Sequence, residues 1–481
     1  MNKQLVKTSI WIMIVTILLS ISFVVGALAQ NKDKELGAEN AKIVEEQMGI
    51  YADKEMTKYV KTIGDRLIEG LEDNPFEFQF KIVDEAIPNA FALPGGYIYV
   101  TRGLLMLVIS EDELAGVLGH EIIHVTQRHS VKQMRSSVLP RMLELPGAIV
   151  GGVVNENLGE LINVPITTSN TLLLSSYSRS HETESDTKGI ELMSKAGYDP
   201  AALANILSRL SDAFELLTNE KEKKDYFSSH PYTPKRVKNI EKKTLKLEWA
   251  EKDKIANDFP SPFDGLLLGN NPKMGVFDGQ NFIHPELNFS ITFPENWETS
   301  NQPSSVIAIH EDRQAALVLG LEDASLSPEE HGKLFVNEVK KKEKQKPSTA
   351  EKRTVNNNAG YLVTYLDSSG DEIMYIHILW LKMGDNVFKI IGFGPKSFQA
   401  DLKNSAQSLR PLTSAERNSI MVRKLRIVEP KINESLAELS NRTDNVAGAE
   451  ITELINGFDE NSKLDSIQRV KIIVKEKYKS K

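Results

Sequence analysis

The sequence predicts an α+β protein of several domains: a mostly helical first half with a small sheet, a strand-rich α+β part, and a short strand–helix–helix–strand tail. Three observations carry this. Apolar residues recur at helical spacing early on, as in Ile43, Met48, Tyr51, Met56, Val60, Ile63 and Leu67. Beyond a cluster of Pro260, Pro262, Gly265, Gly269, Asn270, Asn271 and Pro272, the pattern changes to strand alternation, as in Leu287, Phe289, Ile291 and Phe293. The chain has 481 residues, more than one ordinary core holds.

The boundaries read as 1–29, an export signal or N-terminal anchor; 30–256, the helical domain; 257–275, a linker; 276–413, the α+β domain; and 414–481, the tail module. Lys3 and Lys7 precede an apolar run over 10–25, and Ala27-Leu28-Ala29 then supplies small residues at signal-peptidase spacing. This layout predicts cleavage after Ala29 and an exported chain, periplasmic or associated with the cell envelope. An uncleaved anchor is the alternative, because the apolar run is close to spanning length.

Residues 37–72 read as helix. Phe76–Val83 alternates as a strand with Phe78, Phe80 and Ile82 on one face, and Phe91–Val100 is a second extended segment broken at Pro94-Gly95-Gly96. Ser110 caps a helix with Glu111, Asp112 and Glu113 in its first turn, which runs on through Leu114, Val117, Leu118, Ile122 and Val125. Residues 131–176 read as a buried or mobile insertion, with a lid or membrane-facing hairpin as the alternative. Its apolar part carries Pro140, Arg141, Glu144 and Pro146, which argue against a membrane span. Helices follow over 179–195 and 200–217. Later strands read at Ala315–Leu321, Ala359–Tyr365, Ile373–Leu381 and Val387–Gly392, and Lys340–Lys346 is a solvated helix end.

A net charge of -8 argues against a nucleic-acid partner, because phosphate binding needs concentrated positive charge. With no cysteine, there is no disulfide framework and no thiolate site. A metal would be held by histidine and carboxylate.

His120-Glu121-Ile122-Ile123-His124 is H-E-x-x-H. On a helix, residues four apart lie one above the other, so both imidazoles can face one zinc ion. Glu121 then lies beside the open coordination position, where it can take a proton from zinc-bound water and pass it to the leaving amine. The apolar residues around the motif make this a core helix, in which a His–Glu–His group without a metal would carry unsatisfied polar atoms. A third ligand is needed. Gln127 and Ser130 stand where one zinc-protease pattern has Gly and His, and His129, one position off, reads as a surface residue. Glu182 is the better candidate. Asp186 shares its helix face and can accept the second N–H of a ligand histidine. Glu184 in place of Glu182 is the alternative.

These motifs resemble peptidase family M48, which includes HtpX-like heat-shock proteases and prenyl endopeptidases. The resemblance covers residues 35–250 and implies a zincin fold of the gluzincin type, one zinc ion, and zinc endopeptidase activity. Asn89 to Val100 is similar to the family's edge strand, which implies that Asn89, Ala90, Phe91, Ala92, Gly95 and Gly96 hold extended substrate through backbone hydrogen bonds. Ser229-His230-Pro231 with Arg236 resembles the family's H-P-x-x-x-x-R element, with Thr233 capping the following helix; this implies that His230 or Arg236 lies near the oxyanion. Ser185 stands where the family usually has Ala, with little consequence expected. Having at most one span, the chain resembles the periplasmic branch, which implies unfolded or misassembled envelope proteins as substrates. Residues 424–474 resemble a degenerate LysM module, which implies peptidoglycan as a partner. The competing reading is an envelope binding or assembly factor, held at peptidoglycan by its tail, with proteolysis minor or lost.

Overall fold

Where periodicity predicts one N-terminal helix, the chain forms two. The computed structural model describes residues 32–136, 177–218, 230, 234–256, 258–368, 372–465 and 468–479. Helix α1 covers 32–48 and α2 spans Lys54–Ile68. Gly49 takes φ 70° between them, and Asp53 then caps α2 by accepting the Met56 N–H. The expected apolar stripe, Met56, Val60, Ile63 and Leu67, is buried. The export segment, residues 137–176, and Ser229, Pro231 and Thr233 lie outside the described residues. Among the described residues, no helix is long and apolar enough to cross a membrane.

The chain divides into two compact units. The first holds the described residues up to 266 together with 425–473. The second holds 267–424 and the end of the chain from 474.

In the first unit, β1 (Gln79–Val83), β2 (Ala90–Leu93) and β3 (Tyr97–Thr101) form a sheet in the order β1-β3-β2. β1 runs parallel to β3 and β2 antiparallel to it, with Ala90 opposite Val100 and Leu93 opposite Tyr97. β2 is therefore an edge strand. The β2–β3 turn needs both its glycines: Gly95 and Gly96 have φ 82° and 107°, and a Cβ on Gly96 would sit 2.6 Å from the Glu77 carbonyl.

β3 leads into α3 (Arg102–Leu107) and then α4 (Glu111–Thr126), the motif helix. Ser110 caps α4 as expected, accepting the Glu113 N–H. The acids of its first turn also tie the unit together. Glu111, buried, accepts the Tyr59 hydroxyl at 2.7 Å and the backbone N–H groups of Ile255 and Ala256. Glu113 accepts the Ile109 N–H and a 3.0 Å bond from Arg209. α5 (His129–Ser136), α6 (Arg179–Ala196), α7 (Ala202–Thr218) and α8 (Pro234–Thr244) complete the helical layer. α4 crosses α6 where Gly189 sits: a Cβ there would lie 3.3 Å from the His120 backbone nitrogen. Its absence lets the two helices approach closely.

The second unit is α+β, as the alternation predicts. Short strands β4 (Leu267–Leu268), β5 (Val276–Asp278), β6 (Asn281–His284) and β7 (Phe289–Thr292) come first; the last three form an antiparallel sheet. Then come β8 (Glu298–Gln302), β9 (Ser305–Ile309), β10 (Ala316–Glu322), α9 (Pro328–Glu343), β11 (Thr349–Val355), β12 (Asn358–Asp367), β13 (Met374–Met383), β14 (Asn386–Pro395) and α10 (Gln399–Ser408). The larger sheet, ordered β11-β12-β13-β14-β10-β9-β8, packs a hydrophobic core against each face of its central strands. One face holds Val339 of α9 against Val363, Ile376 and Trp380. The other holds Phe282, Ile291, Leu317, Phe388 and Leu402.

After α11 (Ser414–Ser419), the tail runs β15 (Met421–Val428), α12 (Leu436–Arg442), α13 (Ala449–Asn456) and β16 (Val470–Lys477). This is the expected strand–helix–helix–strand order. Its residues 425–473 group with the first unit. Arg209 of α7 donates to the Leu454 carbonyl, and the buried Lys471 ammonium donates to the Met106 and Val108 carbonyls at the end of α3.

Candidate metal centre

One point inside the first unit gathers donors from two helices. His120 and His124, one turn apart on α4, bring their Nε2 atoms to 3.0 Å. α6 adds Glu182, whose Oε1 lies 3.3 Å from His124 Nε2 and whose Oε2 lies 3.5 Å from His120 Nε2. His230 Nδ1 lies 3.1 Å from Glu182 Oε1 and 3.3 Å from His120 Nε2. Ligating atoms of these four residues all lie within 4.8 Å of one another. The α-helical repeat places the two imidazoles, and the close α4–α6 crossing places the carboxylate.

Asp186, one turn beyond Glu182, lies with Oδ1 3.0 Å from His120 Nδ1. A carboxylate at that distance favours the tautomer with its proton on Nδ1 and Nε2 free for a metal. Arg236 of α8 is buried. It grips Asp186 through two hydrogen bonds and lies 2.6 Å from Glu182 Oε2. Of His230 and Arg236, either of which the resemblance places near the oxyanion, Arg236 directs its guanidinium to the Glu182 and Asp186 carboxylates. Gly95 and Gly96 lie in the β2–β3 turn against the backbone of Asp33 and Glu77. Asn89 and Ala90 line the cleft at the centre, and Ala92 accepts a hydrogen bond from Ser130 through its carbonyl. Phe91 is buried in the sheet core, stacked on Tyr99.

His129 corrects the sequence reading. It is not a surface residue but fully buried, with Nδ1 3.2 Å from His124 Nδ1. On a continuous helix, five residues would carry it roughly 140° round from His124. α4 ends first: Arg128 takes φ 56°, held by Asp33 through a two-pronged ion pair, and α5 brings His129 back. Glu184 points to His129 and Lys188. Tyr177 also escaped the sequence reading. Its ring lies 4.0 Å from His124, and nothing in its local sequence marks it.

The electrostatics follow from burial and charge. Burial pushes the Glu121 carboxyl up, with His230 and His120 opposing. Burial acts on Glu182 in the same direction, but His230, Arg236 and His120 outweigh it and hold that carboxyl well below its ordinary range. Burial holds the His124 imidazole well down, in its neutral form. Beside Glu121 and His120, a cleft of about 520 Å³ opens among Ala90, Leu104, Val117, Leu203, Leu207 and Leu210.

The donor set fits zinc: two imidazoles and a carboxylate, without thiolate. Glu121 Oε2 is buried with no hydrogen-bond partner. Such a carboxylate is costly to a fold unless chemistry uses it. An H-E-x-x-H helix crossed by a glutamate-bearing helix, with this spare carboxylate beside the convergence point, defines a metallopeptidase centre. The model of peptidase family M48 matches residues 54–244. The segment is similar to the putative beta-barrel assembly-enhancing protease of Vibrio cholerae serotype O1, at 31% identity over 38% of this chain and 39% of that protein. It is 30% identical to the beta-barrel assembly-enhancing protease of Yersinia pestis, over 38% of this chain and 37% of that one. The mitochondrial metalloendopeptidase OMA1 of Schizosaccharomyces pombe is 30% identical over 38% of this chain and 52% of its own length. The chain thus spans about half or less of the curated relatives it matches.

Proposed function

We propose that the chain is a zinc-dependent endopeptidase of the cell envelope, acting on unfolded or misassembled envelope proteins. The observation that carries this is the convergence of His120, His124 and Glu182 beside Glu121, whose buried Oε2 has no hydrogen-bond partner. These three residues would hold zinc, with Asp186 orienting His120. Bound zinc supplies Lewis acidity at the scissile carbonyl and lowers the pKa of water. Glu121 takes the proton of the attacking water and returns it to the leaving amine. Burial pushes this carboxyl up, which favours the protonated form it takes between the two transfers. His230, with Nε2 3.5 Å from Glu121 Oε1, can donate to the developing oxyanion. Arg236 holds Glu182 and Asp186 in place. Edge strand β2 offers Ala90 and Ala92 to an extended substrate, with Asn89 just before the strand, which suits an enzyme that reads backbone rather than fold. The envelope substrates follow the names of the bacterial relatives.

The test is cleavage of an unfolded casein-type substrate by the full chain, with zinc content measured in parallel. Glu121→Gln is expected to retain zinc and lose about 10²-fold or more in rate. A variant that cleaves at the wild-type rate would refute the mechanism.

A further inference from the structure

His120 and His124 sit in the same motif, yet they meet different partners behind the centre. His120 Nδ1 faces a carboxylate directly, Asp186, at 3.0 Å. His124 Nδ1 faces an imidazole, His129 Nδ1, at 3.2 Å. The far nitrogen of that imidazole, His129 Nε2, lies 3.3 Å from Glu184 Oε2. Lys188 holds Glu184 from the other side at 2.6 Å, and the His181 ring stacks on His129 with centroids 4.3 Å apart and planes nearly parallel. The His129 ring is fully buried. A ligand imidazole that gives Nε2 to a metal must carry its proton on Nδ1. His124 Nδ1–H therefore needs an acceptor, and His129 Nδ1 is placed to be it. That assignment puts the His129 proton on Nε2, where Glu184 accepts it. Every proton in the row then has a partner, whereas the opposite tautomer of His129 would set N–H against N–H.

We propose that Glu184 and His129 form a positioning relay for the metal ligand His124, the carboxylate acting through an intervening imidazole. Ser185 flanks it: its buried Oγ lies 3.3 Å from His129 Nδ1, a polar neighbour at the nitrogen that accepts from His124. The relay rests on the reading that His120, His124 and Glu182 hold zinc.

The test measures zinc affinity by chelator competition on the purified full chain, together with ¹⁵N NMR of the histidine tautomers. His129→Ala is expected to weaken zinc binding about 10–100-fold, the usual effect of removing a partner behind a ligand. His129→Gln should recover most of that loss, because its amide oxygen can accept from His124 while its NH₂ donates to Glu184. A purely space-filling role predicts no such rescue from Gln over the near-isosteric His129→Leu. NMR of the wild type should show His129 protonated on Nε2 alone. Wild-type affinity in His129→Ala, equal losses in the Gln and Leu variants, or a His129 protonated on Nδ1 would each overturn the relay. A wild-type chain that takes up no zinc would overturn the metal-site reading, and the relay with it.

Discussion

The Arg236 guanidinium grips the Asp186 carboxylate through two hydrogen bonds of 2.8 and 2.7 Å, from Nε and one terminal nitrogen. The remaining terminal nitrogen lies 2.6 Å from Glu182. One planar cation thus fixes both buried carboxylates of α6, Glu182 and Asp186. Neither could be held this way by a lysine, whose ammonium is a point charge without the fork. Arg236→Lys is expected to retain the fold but weaken zinc binding, because Glu182 and Asp186 cannot both be held. Arg236→Ala leaves two buried carboxylates without their cation and should cost about 3 kcal/mol or more in chemical denaturation. Zinc affinity in Arg236→Lys equal to wild type would show that the guanidinium does not position Glu182.

Gly189 tests the helix crossing itself. It lies two turns beyond Glu182 on α6, against the backbone of His120. A valine there must push α6 away from α4 and carry Glu182 off the two imidazoles. Gly189→Val is expected to keep its helical circular dichroism and lose stoichiometric zinc. Gly189→Ala, whose Cβ would meet His120 N at 3.3 Å, should show a smaller loss. Full zinc occupancy in the valine variant would mean that the crossing tolerates separation.

How far the sequence reveals this centre depends on the kind of order involved. His120 and His124 are legible because a single helical repeat fixes their relation. Glu182 and Asp186 are legible as a pair on one face, but their meeting with α4 depends on Gly189, whose meaning appears only when the helices cross. His129 is misread because a left-handed residue, Arg128, breaks the repeat on which the reading relies. Arg236 carries a charge that fits an oxyanion or a carboxylate pair equally well until its neighbours are known. The same holds for the tail: its strand–helix–helix–strand order is local and readable, whereas its attachment through Lys471 is a contact across the sequence.

Direction along β2 assigns the cleft a role in specificity. Its lining begins at Asn89 and Ala90, the start of β2, whereas Ala92 lies toward Ser130 and Tyr177 at the other end. A substrate added antiparallel to this edge runs from the Leu93 end to the Asn89 end. The cleft then takes the side chain just C-terminal to the scissile bond. Its walls are Leu104, Val117, Leu203 and Leu207, so that residue should be apolar. Mass spectrometry of casein digests should show Leu, Ile, Met or Phe enriched there. Leu207→Trp, filling the cleft, should shift the preference to small residues by roughly 10-fold or more. Enrichment on the N-terminal side instead would reverse the assigned direction.

Lys471 gives the first unit a signature in pH. Burial pushes its ammonium down to about 7, with Glu113 opposing and Arg209 adding to the shift. An unfolded lysine titrates near ~10.4. Below about pH 7 both states carry the proton, and the folded state bears the whole cost of a buried charge. Between about pH 7 and 10 the unfolded state binds one more proton, so stability from this residue rises with pH, by at most ~1.4 kcal/mol per unit. Neutral Lys471 still donates to the Met106 and Val108 carbonyls. Lys471→Met removes the titration and leaves both carbonyls without this donor, a loss on the order of 1–3 kcal/mol for each buried group. The variant should therefore be weaker than wild type at pH 9, and the gap should narrow toward pH 6, where wild type carries the buried charge. Denaturant unfolding of the full chains at several pH values between these limits measures the difference, in which all other titrations cancel. A gap that stays constant with pH would mean that Lys471 remains charged throughout, held by the two carbonyls strongly enough to overcome its burial.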